Sequence, residues 1–138
     1  MEGFAEYGHA IASLAGLVLL WGVLNPLSAF KKQSVVDAPG SEVIADYRDP
    51  VYRWHRAHGN LTETMPFFAS AVLAAMLVDA SAFWVNLLAS LFLLTRIGMT
   101  IVHINAIGPA LNGPRSFLYI AGWAMIVALA VLAIVGAF

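Results

Sequence analysis

The stretch "SFLYIAGWAMIVALAVLAIVGAF", residues 116–138, contains no Asp, Glu, Lys, Arg or Pro. Crossing the hydrocarbon of a bilayer takes about 20 consecutive apolar residues in a helix, and this run is long enough. A second run without Asp, Glu, Lys or Arg extends from Gly8 to Phe30. The whole chain has 138 residues, of which 61% are hydrophobic and only 11% charged, and its mean hydropathy is +0.82. Such a composition makes lipid the solvent for most of the chain, and the length allows a single domain over 1–138.

Between these runs lie two more candidate spans, each interrupted by one charge: Glu63 in roughly 57–78 and Arg96 in roughly 80–107. Four helices are expected, over roughly 7–30, 51–78, 81–107 and 115–137. A strand-built membrane protein needs alternating segments of about ten residues, which the continuous runs do not show. The expected fold is an all-α, four-transmembrane-helix up-down bundle, oligomeric because so thin a bundle has little interior of its own. The first run lacks the basic leader and small-residue cleavage site of a secretory signal and is read as a retained helix. With no cysteine there is no disulfide and no thiolate metal site or nucleophile. The net charge is −1, and no nucleic-acid partner is expected.

The connections carry turn chemistry. Lys31 to Pro50 mixes charged residues, Ser, Pro and Gly without a period and reads as a hydrated loop, with "DAPGSE" at 37–42 its clearest turn. Asp49 and Pro50 suit the cap and first turn of the second helix. "VDASA" at 78–82 is short enough to force an antiparallel hairpin between the second and third helices. "GPALNGP" at 108–114 ends the third. Lysine and arginine fall in or near the first and third connections, which places those loops in the cytoplasm and both termini outside.

On the second helix, Arg53, Arg56, Asn60, Glu63 and Phe67 are spaced by three or four and fall on one stripe. They form a polar ladder running down from the membrane surface, with Glu63 roughly 10 Å deeper than Arg56. A carboxylate facing lipid as an ion costs about 2.5 kcal/mol or more, so Glu63 is expected to face another helix or a wet cavity, or to be protonated. Arg96 poses the same problem at similar depth, and a Glu63–Arg96 pair, within one chain or between subunits, is the expected solution. Arg53 equally suits an interfacial anchor. Arg115, Ser116 and Tyr119 follow the "LNGP" turn, where an arginine, a hydroxyl and free helix N-terminal amides suit an anionic ligand, or Arg115 is an ordinary membrane-interface anchor. His103 joins from the side or is a packing residue. No pair among the four histidines has a metal-binding spacing, so no metal is expected.

The run "RAHGNLTETMPFF", residues 56–68, resembles the second-helix signature of the MAPEG family, membrane-associated proteins in eicosanoid and glutathione metabolism. Arg56, Ala57, Asn60, Glu63 and Pro66 meet its pattern. The resemblance, to a bacterial-type member, implies a homotrimer in the inner membrane of a bacterium, with glutathione as co-substrate between adjacent subunits near the cytoplasmic face. It implies that Arg56, Asn60 and Glu63 hold the tripeptide's polar ends, with Arg53, Arg96, His103 and Tyr119 as further binding residues. By the same resemblance, Arg115 lies near the glutathione sulfur and Ser116 supplies a hydroxyl. The chain departs from the pattern at Gly59, where some members carry a second arginine, and at Met99 and His103, where tyrosines are frequent.

Glutathione carries two carboxylates, an ammonium and a thiol. Arg56 suits a carboxylate as a bidentate fork, Glu63 suits the ammonium, and Arg115 suits a thiolate. The expected function is an integral-membrane glutathione transferase, or glutathione-dependent peroxidase, with the lipophilic electrophile approaching from the lipid along the first and fourth helices. The alternative is a non-catalytic membrane protein that binds lipid or presents a partner.

Overall fold

The computed structural model describes residues 2–38, 41–109 and 111–138. A 3-10 turn, Glu2–Tyr7, leads into α1 (Gly8–Lys32), followed by α2 (Pro50–Leu77), α3 (Ala82–Ile104) and α4 (Pro114–Gly136). The expected helices agree to within a few residues. The third ends at Ile104, three residues early, because the chain turns through Ala106 before the Gly-Pro segment is reached. The turn expected at 37–42 includes Pro39 and Gly40, which lie outside the described residues, as does Ala110 of the turn after α3.

Helices α1, α3 and α4 are each long and apolar enough to cross a membrane. The fourth, α2, is also long, but its first half carries the polar ladder. It packs on α1, α3 and α4, so the α2–α3 hairpin forms the middle of the bundle with α1 and α4 on its flanks. Many apolar side chains of the flanking helices point outward, among them Val18, Leu19, Ile120, Trp123, Val131 and Ile134, as lipid solvation requires.

Local chemistry accounts for the helix ends. The Asp49 carboxylate accepts from the Val51 amide at 2.8 Å and Pro50 occupies the first helical position, the expected cap. Both α2 and α3 stop in a paired closing motif in which a residue with positive φ turns the chain. At the end of α2, Ala80 N–H donates to Ala75 O (3.0 Å) and Asp79 N–H to Met76 O (3.3 Å), with Asp79 at φ 51°. At the end of α3, Ile107 N–H donates to Val102 O (3.0 Å) and Ala106 N–H to His103 O (3.3 Å), with Ala106 at φ 53°. Pro26 and Pro66 both lie inside continuous helices.

One end of the bundle is fastened by two polar side chains. The buried Tyr7 hydroxyl donates to Ala80 O at 2.6 Å, tying the start of the chain to the α2–α3 turn. Asn86 of α3 accepts from the Ala10 amide (2.9 Å) and donates to Glu6 O (2.7 Å), so it satisfies backbone groups at the start of α1. Midway down, Phe68 of α2 stacks on Phe92 of α3 with centroids 4.0 Å apart, and both are fully buried. The opposite end gathers the α1–α2 connection, the end of α3 and the start of α4.

Candidate functional site

A cleft of about 470 Å³ opens at that opposite end, lined by Tyr47, Arg56, Asn60, Glu63, Met99, His103, Arg115, Ser116, Tyr119 and Ile120. Four parts of the chain supply its walls. The ladder of α2 gives Arg56, Asn60 and Glu63, the last turns of α3 give Met99 and His103, and the first turns of α4 give Arg115, Ser116 and Tyr119. The α1–α2 connection adds Tyr47, which no sequence period marks. The volume lies within the range of small-molecule sites.

Arg56 and Glu63 stand two helical turns apart on one face and pair directly, Nη1 to Oε1, at 3.0 Å. The pair is half open, with the Glu63 side chain 58% exposed, so its contribution to stability is small. Gly59 lies between them, where a Cβ would sit 3.5 Å from the arginine Nη1 and 3.8 Å from the Glu63 carboxylate. The two charges therefore border the cleft without an intervening side chain.

Arg96 does not pair with Glu63. Its guanidinium is fully buried and donates from Nη1 to Asn60 Oδ1 (3.0 Å), from Nη2 to Leu118 O (2.9 Å) and from Nε to Thr95 Oγ1 (3.3 Å). The ring of Phe92 lies beneath it, 5.0 Å from Cζ. The expected ion pair fails within the chain because Arg96 points between α2 and α4, whereas Glu63 faces the open side. Gly122 of α4 makes room for this arrangement, since a Cβ there would run into Nη2 and lie 3.0 Å from Cζ. Arg96 thus links three helices behind the cleft wall and does not line the cleft.

Arg53 is likewise outside the lining. Its Nη1 donates to Tyr47 O (2.9 Å) and Arg48 O (3.0 Å), and its Nε to Ile104 O (3.2 Å). Three backbone carbonyls occupy the guanidinium that the ladder spacing offers to a ligand.

Arg115 is nearly buried. Among the described residues, a hydrogen bond from Nη2 to Pro109 O at 3.1 Å and the face of Tyr47, 3.8 Å from Cζ, hold it. His103, also buried, stacks on Tyr47 with centroids 5.9 Å apart. The free amides expected at the start of α4 are mostly taken. Pro114 has no N–H, and those of Ser116 and Phe117 donate to Gly113 O at 3.0 and 3.4 Å. Ligand contact here falls mainly to side chains.

A second, apolar cleft of about 410 Å³ adjoins the first, lined by Glu63, Thr64, Phe67, Tyr119, Trp123, Ile126 and Val127. Its walls are α2 and α4, and it shares Glu63 and Tyr119 with the polar cleft. Phe67, on the same stripe as Glu63, marks where the ladder turns from polar to apolar. Among the described residues, no group of three or more His, Asp or Glu is placed to hold a metal.

Among the described residues, four α-helices, three of them apolar enough to cross a membrane, and a charged cleft at one end describe an α-helical membrane protein. The chain belongs to the MAPEG family, whose model matches residues 9–135, nearly its whole length. No individual curated protein matches the chain.

Proposed function

We propose that the chain is an integral-membrane glutathione transferase or glutathione-dependent peroxidase acting on lipophilic electrophiles. The observation that carries this reading is the one cleft that gathers Arg56, Asn60, Glu63, His103, Arg115 and Ser116. Membership of a family that includes glutathione transferases and peroxidases supports it.

Arg56 and Glu63 present opposite charges 3.0 Å apart, a pattern complementary to a zwitterion. Glutathione exchanges this internal pair for two of its own: a carboxylate on the Arg56 fork and the ammonium on Glu63. Asn60, its oxygen engaged by Arg96, offers its amide N–H groups to the ligand. Arg115 faces the thiol. A free thiol of pKa near 8.5 is only a few per cent ionised at neutral pH, and a cation that lowers it by about 2 units makes most of it nucleophilic. The Ser116 hydroxyl donates to the thiolate.

The apolar cleft takes the second substrate beside the sulfur. With an alkylating electrophile, the sulfur forms the new bond and the leaving group departs with the electron pair. With a hydroperoxide, the sulfur takes the distal oxygen, the alcohol leaves with a proton, and a second glutathione reduces the sulfenic acid to disulfide and water. Glu63 lies on the open side, so a neighbouring copy in a homotrimer would complete the wall. The positive connections support a cytoplasmic position for this end, in this reading at a bacterial inner membrane.

A second reading, lipid binding without turnover, is favoured by the apolar cleft and by Met99 and His103 at positions where the family often has tyrosine. Steady-state kinetics separate the two. Under the first reading, Arg115→Ala lowers kcat more than glutathione affinity and Arg56→Ala does the reverse. Equal losses of both parameters in both variants, or no turnover of any electrophile by the wild type, count against it.

A further inference from the structure

Tyr47 enters the cleft from a connection rather than from a helix. The connection is fixed from behind, because Arg53 bonds the carbonyls of Tyr47, Arg48 and Ile104 and so fastens it to the end of α3. Tyr52 of α2 packs edge-on against the Tyr47 ring at 5.2 Å. His103 lies nearly parallel to it, at 16°, with Nδ1 3.5 Å from the hydroxyl. The ring's face is given to the Arg115 guanidinium.

We propose that Tyr47 is a positioning residue for Arg115, holding its guanidinium against the cleft so that its charge stays beside the thiol. This inference rests on the glutathione reading above and adds to it a residue from outside the helices. An arginine side chain has many rotamers to lose, and its charged end moves readily toward water. Among the described residues the guanidinium makes one side-chain hydrogen bond, to Pro109 O, about which it can pivot. An aromatic face under the cation removes that freedom and is itself attractive. Lysine would not substitute for the planar group stacked there.

The charged and titratable groups around this pair are Tyr52, Arg53, Arg56 and Glu63 on α2, His103 on α3 and Tyr119 on α4. Of these, His103 is in contact with Tyr47, so the pH behaviour of the Tyr47 variants must also be followed in a His103→Gln background.

The test titrates the thiolate absorbance of bound glutathione against pH in the wild type, Tyr47→Phe and Tyr47→Leu, with the glutathione dissociation constant measured on the same samples. Tyr47→Phe keeps the ring and leaves the thiol's apparent pKa at the wild-type value. Tyr47→Leu raises it by about one unit, a nearly tenfold loss of thiolate below the pKa, with a much smaller change in affinity. An unshifted Tyr47→Leu overturns the proposal. So does a Tyr47→Phe that shifts as far as Tyr47→Leu, which would give the role to the hydroxyl and His103.

A second arm does not depend on glutathione. Phenylglyoxal modification of Arg115, mapped by mass spectrometry, becomes several-fold faster in Tyr47→Leu and stays slow in Tyr47→Phe. Equal rates in all three proteins overturn the positioning role. A wild type with no thiolate band at any pH would sink the glutathione reading, and the modification rates would still decide whether Tyr47 holds Arg115. Should Tyr47→Leu not fold, Tyr47→Met, which also removes the ring, takes its place with the same expectation in both arms, and wild-type values there overturn the proposal.

Discussion

Arg96 and Asn60 meet behind the cleft wall, Nη1 donating to Oδ1 at 3.0 Å, and this contact fixes which way the asparagine amide faces. With its oxygen turned to the buried guanidinium, its nitrogen is the atom left for a ligand. Asn60→Ala removes an acceptor from a buried cation and is expected to cost about 2 kcal/mol. Asn60→Asp keeps the acceptor and adds a counter-charge, so it is expected to fold at least as well. It also removes the N–H donors and repels a ligand carboxylate. Thermal unfolding in detergent together with glutathione binding distinguishes the effects: stability retained with binding lost supports the orientation, and binding retained in Asn60→Asp refutes it.

Gly122→Ala places a methyl where the Arg96 guanidinium already lies. Relief requires α4 to back away or Arg96 to leave its three acceptors, an overpacking cost of about 1–3 kcal/mol. A lower midpoint of thermal unfolding is expected, accompanied by weaker glutathione binding because Asn60 loses its anchor. Gly98 is the control: a Cβ there would meet only the end of the Leu118 side chain, at 3.5 Å, and Gly98→Ala is expected to be close to neutral in stability.

Ala106→Gly is expected to stabilise the protein. Ala106 holds φ at 53°, a conformation that costs an L-residue roughly 1–2 kcal/mol and costs glycine nothing sterically. After the greater entropy that glycine loses on folding, a net gain of up to about 1 kcal/mol remains. The same change inside a helix, at Ala89, should instead destabilise by about 1 kcal/mol or more.

Arg53→Ala removes three hydrogen bonds to backbone carbonyls and no contact with the cleft. Amide hydrogen exchange is expected to quicken at residues 44–49 and 105–107 while the middles of α2 and α3 keep their protection. A variant with unchanged exchange in both segments would show that the fastening is not needed.

Much of this arrangement is legible in the sequence where a period or a cap carries it. The spacing of Arg56, Asn60 and Glu63 places them on one face, and Asp49-Pro50 marks the start of α2. The Glu63–Arg96 pair illustrates where such reading stops. Hydropathy gives each charge a depth in the membrane, but not the direction it takes around a neighbouring helix, and Arg96 turns to Asn60 and Leu118 O. Arg53 lies on the ladder by spacing, yet at the helix end it meets carbonyls of a connection whose path has no period. Tyr47 lies in that same connection and is invisible for the same reason. Asp79 and Ala106 close helices without the glycine that ordinarily signals such a turn.

The central claim is that Arg115 turns a bound thiol into a thiolate nucleophile. Its most direct test is an ultraviolet difference spectrum of the purified protein titrated with glutathione at neutral pH, beside Arg115→Ala. The account predicts a saturable thiolate band in the wild type that is lost in the variant while glutathione still binds. Glutathione binding without a thiolate band, or a band that survives in Arg115→Ala, would contradict it.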